Sequence, residues 1–597
     1  MTSHALAFGR PAAAAGWRAL LATLLVALLI AGCAQQPVSP AGGEATPAAA
    51  SAAPGEAASA PAGGPELPTQ DLTEQTLYEF LLAEIANQRG NNAVSAQAYL
   101  DLAQRTRDPR IARRATEVAI YARMPETALA AARIWYEADP KSVEALRTVT
   151  SLLVSQDQLP EAEPYLQRVL ATSDAGRADT FLQLNRLLGG SRDKPATLEL
   201  VKRLAAPYPD LAQARFAVAQ AAAGAGEDEL ALKEVRAAAR LAPDWELAAV
   251  YEAQLLQKRS NAEAAARLAA FLEGHPKSRD VRLNYARLLV NQKSYPEARG
   301  EFQKLLAEFP DNTDVLFAVA MLSMQLEDYV AAEDQLKRLL ALDYRDRNTV
   351  RFYLGQLAEE QKRYPEALDW YREVTRGEHY MPARIRQAQV MSKEGDLAGA
   401  REFLRTVEAS NNQQRVQLIL AEAQLLREAN QNGEAFKVVE RGLDKLPENT
   451  DLLYDYAMLA EKLDRLDILE SSLRKVIRIK PDHAHAYNAL GYSLADRSLR
   501  LAEAREFIET ALKLAPDDAF IIDSMGWVLY RQGQTEEALK YLRRAYAGRQ
   551  DPEIAAHLGE VLWTTGQRAE AEKIWNEALT KAPANDTLIK TIKRFKP

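Results

Sequence analysis

Along most of this chain apolar side chains recur at helical rather than strand spacing. Ala571 and Ala578 stand seven residues apart, two helical turns, and so share one buried face. Strand-like alternation of Val, Ile and Thr is nearly absent, which leaves an all-α fold as the expectation. A longer beat overlies the helical one. Leu558-Gly559 is followed by Ala571, Trp575, Ala578 and Pro583, and Met525-Gly526 by Ala538, Leu542 and Ala545. Leu490-Gly491 precedes Ala504, Ala511 and Pro516 with one inserted residue, so that the three glycines lie 35 and 33 residues apart. Earlier copies are weaker but in phase: Leu354-Gly355 precedes Ala367 and Tyr371, and Tyr295-Pro296-Glu297-Ala298 recurs as Tyr364-Pro365-Glu366-Ala367. Pro243, Pro276 and Pro310 mark successive repeat ends.

This pattern resembles the tetratricopeptide repeat, whose period of about 34 residues is two antiparallel helices and their turns. The resemblance implies an α-solenoid, a right-handed superhelix of antiparallel helix pairs with a concave binding groove. About 15 units fit between residues 71 and 585, with 586–597 as a polar, basic cap segment and Leu72 to Gln88 as a long first helix. Small residues let paired helices approach within roughly 8 to 10 Å. Gly355, Ala367, Gly491, Ala504, Ala511, Gly526, Ala538, Ala545, Gly559, Ala571 and Ala578 are therefore expected at helix packing positions. In the recurring Tyr-Pro-Glu-Ala, proline suits the first helical turn and glutamate favours the helix dipole.

The N-terminus reads differently. Arg10 and Arg18 precede an apolar run from Ala19 to Ile30, which is too short to span a bilayer but fits a cleaved signal of residues 1–32. It ends in Ile30-Ala31-Gly32-Cys33, and Cys33 is the only cysteine of the 597 residues. The tetrapeptide resembles the lipobox of bacterial lipoproteins, in which Ile30, Ala31 and Gly32 would be read by the signal peptidase and Cys33 would be lipidated. The family's three acyl chains imply durable anchoring. Ala34 in place of aspartate resembles lipoproteins sorted to the outer membrane of Gram-negative bacteria, facing the periplasm. Residues 33–70 are Ala, Pro, Gly, Ser and Thr with only Val38 and Leu67 as large aliphatics, so a disordered tether is expected there.

A net charge of -8 disfavours nucleic acid as a partner. No metalloprotease helix, nucleophile elbow or phosphate loop occurs, so neither catalysis nor a cofactor, metal or small-molecule substrate is expected. His483 and His485 read as surface or groove histidines rather than metal ligands, with no cysteine or third histidine nearby. The expected activity is binding. First-helix residues that point away from the small-residue face are Asn488, Tyr492, Trp527, Tyr530, Arg531 and Trp563, of types enriched in binding hot spots. Burial between repeats accounts for Trp527 or Trp563 about as well.

Several stretches go beyond the generic repeat: Thr106-Arg107-Asp108-Pro109, Tyr487-Asn488-Ala489-Leu490-Gly491-Tyr492, Asp523-Ser524-Met525-Gly526-Trp527 and His557 to Trp563. With the lipobox, tether and length, they resemble a proteobacterial outer-membrane tetratricopeptide lipoprotein that partners a periplasmic carboxy-terminal processing protease. That resemblance implies an adaptor, which tethers and activates the protease and presents substrates such as peptidoglycan hydrolases. The alternative is an assembly lipoprotein for a pilus, secretion, exopolysaccharide or outer-membrane insertion machine; deletion phenotypes separate the two.

Overall fold

The computed structural model describes residue 68 and residues 73–596, apart from 172–173 and 343. The expected signal peptide and tether, with Ile30, Ala31, Gly32 and Cys33, lie outside the described residues. Within them the chain forms 31 helices, from Glu74–Gln88 to Asp586–Phe595, and no strand.

Local chemistry sets the helix ends. Many helices begin on a polar cap: the Oδ1 atoms of Asn312, Asn449 and Asn585 accept the amide three residues on at 3.1, 2.9 and 2.9 Å. Each such bond satisfies a backbone donor that has no partner inside the helix. Replacing Asn449 with alanine is expected to lower stability by about 1 kcal/mol, measurable by urea unfolding. Pro296 and Pro365 stand in the first turns of Tyr295–Glu308 and Tyr364–Arg372, where proline removes no helical hydrogen bond. Most reversals between paired helices place one residue in the left-handed region. Gly533 takes it at φ +83°, while Asn430 takes the same role at φ +58°.

Contacts divide the described helices into two units, one ending at Glu327 and one starting at Asp328. In the first, the core runs as a continuous apolar cluster from Leu129 to Leu288, with Phe216 tilted against Trp245 at 4.9 Å and edge-on to Tyr251 at 5.1 Å. Its opening helix, Glu74–Gln88, turns its small residues Ala83 and Ala86 inward. Ser95 of the next helix donates to the Ala83 carbonyl at 2.8 Å. The larger side chains Leu77, Tyr78, Phe80, Leu81, Leu82 and Ile85 are exposed.

In the second unit the helices run from Tyr329–Ala341 to Asp586–Phe595. The last of these lies against Pro552–Thr564 and Arg568–Lys581, buries Leu588 and Thr591, and leaves Lys590, Lys593 and Lys596 in solvent. Its covering face is apolar and its outer face cationic, as a cap requires.

The small residues named from the repeat pattern are all buried where paired helices meet. A Cβ added to Gly491 would come within 2.7 Å of the Ala504 carbonyl oxygen and 2.6 Å of Ile508 Cγ1. At Gly526 it would meet Leu542 Cγ at 2.6 Å, and at Gly355 Tyr371 Cδ1 at the same distance. Gly559 sits directly against the Trp575 indole. At Gly491 a side chain would thus press on the backbone of the paired helix, while at Gly355, Gly526 and Gly559 a buried neighbouring side chain would have to shift.

A candidate binding wall at the C-terminal repeats

Three successive first helices, Ala484–Asp496, Ala519–Arg531 and Pro552–Thr564, lie against one another in the second unit, each backed by its own second helix. Residues one repeat apart therefore face each other across adjacent helices, and polar pairs at that spacing knit the stack. Arg497 Nη1 reaches the buried Glu461 at 2.6 Å, and Ser493 Oγ donates to the same carboxylate at 2.8 Å. Lys393 and Arg386 meet buried Glu359 at 2.7 and 3.3 Å, where Tyr371 also donates its hydroxyl at 2.9 Å. Arg594 of the final helix pairs with Glu560.

At the centre stands a buried histidine. His557 Nδ1 lies 2.8 Å from Asp523 Oδ2, 34 residues earlier, and its Nε2 is 3.2 Å from the Tyr492 hydroxyl, two repeats away. Trp527 stacks on the imidazole at 4.3 Å. Burial alone would push the His557 pKa down, but the charge and hydrogen bond of Asp523 outweigh it and raise it from 6.5 to about 9. Burial pushes Asp523 up from the usual carboxylate range, with His557 opposing. The pair thus holds one proton through neutral pH. His557 then donates from both nitrogens, to Asp523 and to the Tyr492 oxygen. The order Tyr, His, Asp is that of a proton relay, yet a histidine already protonated at neutral pH supplies no general base. Its part is to join three repeats.

Asn488, Tyr492 and Trp527, expected to face a partner, do not: their relative exposures are 0, 3 and 2%. The side chains that avoid their own second helix are covered by the next first helix, as the stacking of Trp527 on His557 shows. Both side-chain atoms of Asn488, together with Asp523 Oδ1 and Trp527 Nε1, are buried without a hydrogen-bond partner.

Tyr530, Arg531 and Trp563 are partly exposed at the edge of this buried layer. Tyr530 tilts against Trp527 at 5.5 Å, and the Arg531 guanidinium lies 5.7 Å above the same indole while Nε donates to Ser498 Oγ at 3.1 Å. Trp563 stacks on Trp575 at 5.6 Å, is flanked by Phe595 at 6.4 Å, and carries Arg568 over its ring at 5.2 Å. These side chains are held in place before any partner arrives, which limits the ordering cost of binding.

The sequence reading missed His557 and Asp523 as a pair. Their separation of one repeat was the available signal, since residues at that spacing occupy equivalent places on adjacent helices. His483 lies elsewhere, capping Ala484–Asp496 through Nδ1 at 3.1 Å from the Ala486 amide and stacked on Tyr454 at 5.3 Å.

Helix pairs joined by short turns and nesting on glycine and alanine at a period of about 34 residues define a protein-interaction scaffold, and the chain belongs to the tetratricopeptide-repeat family. Family models of the tetratricopeptide repeat match residues 255–315 and 529–594 in one form, and 319–379 and 469–519 in another. Over 532 residues the chain is 42% identical to the TPR repeat-containing protein PA4667 of Pseudomonas aeruginosa, covering 88% of each. Among solved structures it is similar to the thermophilic TPR protein TTC0263 of Thermus thermophilus, at 23% identity over 30% of this chain and 96% of that one, with a TM-score of 0.28. It is also similar to the APC/C hetero-tetramer Cut9–Hcn1, at 12% identity over 88% of this chain and 96% of that one, with a TM-score of 0.31.

Proposed function

We propose that this protein is an adaptor, lipid-anchored through Cys33 on the periplasmic face of the outer membrane. It tethers and activates a periplasmic carboxy-terminal processing protease and presents substrates such as peptidoglycan hydrolases to it. The observation that carries this reading is a coincidence of place. The stretches 487–492, 523–527 and 557–563, which resemble such adaptors beyond the generic repeat, are the ones that build the wall of three first helices and its aromatic edge. An anchored scaffold that holds protease and substrate together raises their effective concentration without chemistry of its own.

Affinity capture from solubilised envelopes tests this. The full-length protein is expected to recover a processing protease, and the combined replacement of Tyr530, Arg531 and Trp563 by alanine to weaken that capture roughly tenfold or more, each being of a hot-spot type. Repeated capture that recovers no such protease overturns the assignment.

A further inference from the structure

The first and last described helices are finished differently. The closing helix Asp586–Phe595 turns lysines to solvent, as the end of a solenoid needs. The opening helix Glu74–Gln88 does the reverse. Leu77, Leu81 and Ile85, four residues apart, form one stripe with Tyr78 and Leu82 beside them, on the side opposite the buried Ala83 and Ala86. All five are exposed, Tyr78 to 66%.

The stripe is also nearly free of charge. Two of the helix's three carboxylates are engaged by the neighbouring helix Asn92–Thr106: Glu79 pairs with Arg105, and Glu84 accepts the Tyr99 hydroxyl. Phe80, at the margin of the stripe, stands edge-on to Tyr99 at 6.3 Å. The third carboxylate, Glu74, lies in the first turn, and the helix holds no lysine or arginine. What faces outward is a neutral apolar surface on a helix already fixed from behind.

We propose that this stripe lies in the headgroup layer of a lipid bilayer, with the helix parallel to the surface. The proposal rests on the reading of Cys33 as a lipid anchor and adds a second, non-covalent contact with the same membrane. Residues 34–73 separate Cys33 from the helix, and a flexible chain of that length has a root-mean-square span of about 35 Å. The bilayer is therefore the apolar phase nearest to the stripe, and the anchor makes their encounter intramolecular. Charge selects the kind of lipid. Helices drawn to anionic membranes carry clustered lysine and arginine, which this one lacks, so zwitterionic headgroups suit it. Tyr78, apolar in its ring and polar at its tip, is of the type that settles at such an interface. Because Ala83 and Ala86 already pack the helix onto its neighbour, no folding has to accompany contact.

The test uses the full-length lipidated chain in phosphatidylcholine vesicles. Cys33 is the only cysteine and its acylated thiol takes no label, so Tyr78→Cys offers one site for an environment-sensitive dye. On vesicles the dye is expected to shift its emission to the blue and to be quenched roughly twofold or more by nitroxide-bearing lipid, while the same dye at Lys590→Cys stays in water. Adding Leu81→Glu and Ile85→Glu is expected to return the dye at position 78 to water, with helical circular dichroism unchanged and the chain still floating with the vesicles. Three results overturn the proposal and leave the anchor standing: a water-exposed dye on floating protein, a dye equally buried before vesicles are added, which assigns the stripe to a second copy, and a dye unmoved by the two glutamates. A chain that does not float removes the anchor itself, and this contact with it.

Discussion

Replacing Asp523 with alanine is expected to cost about 3–5 kcal/mol, because it strips the partner from a buried charge. His557, buried between Asp523, Tyr492 and Trp527, must then either stay charged without its carboxylate or give up its proton. Urea unfolding followed by tryptophan fluorescence reads the loss, since Trp527 lies in contact with the imidazole. A change below about 1 kcal/mol would mean that the pair does not join the repeats. The same pair sets a pH dependence. His557 has a folded pKa of about 9 against an ordinary 6.5, so its stabilisation is complete below about 6.5 and is lost as pH rises through about 9. Stability should therefore fall between pH 6.5 and 9. Asp523→Asn should flatten that slope by removing the charge that keeps His557 protonated.

The second large effect concerns Gly491. Gly491→Val is expected to cost about 1–3 kcal/mol or more, although valine has the better helix propensity. A Cβ there would lie 2.7 Å from a backbone oxygen, that of Ala504, which cannot swing aside as a side chain can. The helices Ala484–Asp496 and Leu501–Leu514 would have to separate. Gly300 is the control, being helical with nothing within 4 Å of its absent Cβ. There Gly300→Ala is expected to stabilise by about 0.5–1 kcal/mol. Thermal unfolding of the two variants should move in opposite directions; if both stabilise, the close approach at Gly491 is not what its position requires.

Gly491, Gly526 and Gly559 could be read in advance because a packing position leaves a local trace: a small residue recurring where bulk is otherwise expected. Trp527, Tyr492 and Asn488 could not be placed in this way. A helical wheel tells which side of a helix faces its hairpin partner, and it correctly turns these residues away from that partner. Whether the opposite side meets water or another repeat depends on how the hairpins stack, and here the next first helix covers it. His557 escaped for the converse reason. Taken alone it is one of six scattered histidines; only the neighbouring repeat supplies the carboxylate that gives it a role.

The polar pairs between adjacent repeats also bear on how the molecule comes apart. Apart from the contact of His557 with Tyr492 two repeats away, these joints bind only immediate neighbours, so damage at Asp523 and His557 should fray the chain from its C-terminal end as far as the repeat of Tyr492 and stop there. Hydrogen exchange would then show a staircase of protection along the second unit instead of one shared value. Excising a whole repeat should rejoin matching edges, whereas inserting one residue within a helix would misalign every seam that crosses it.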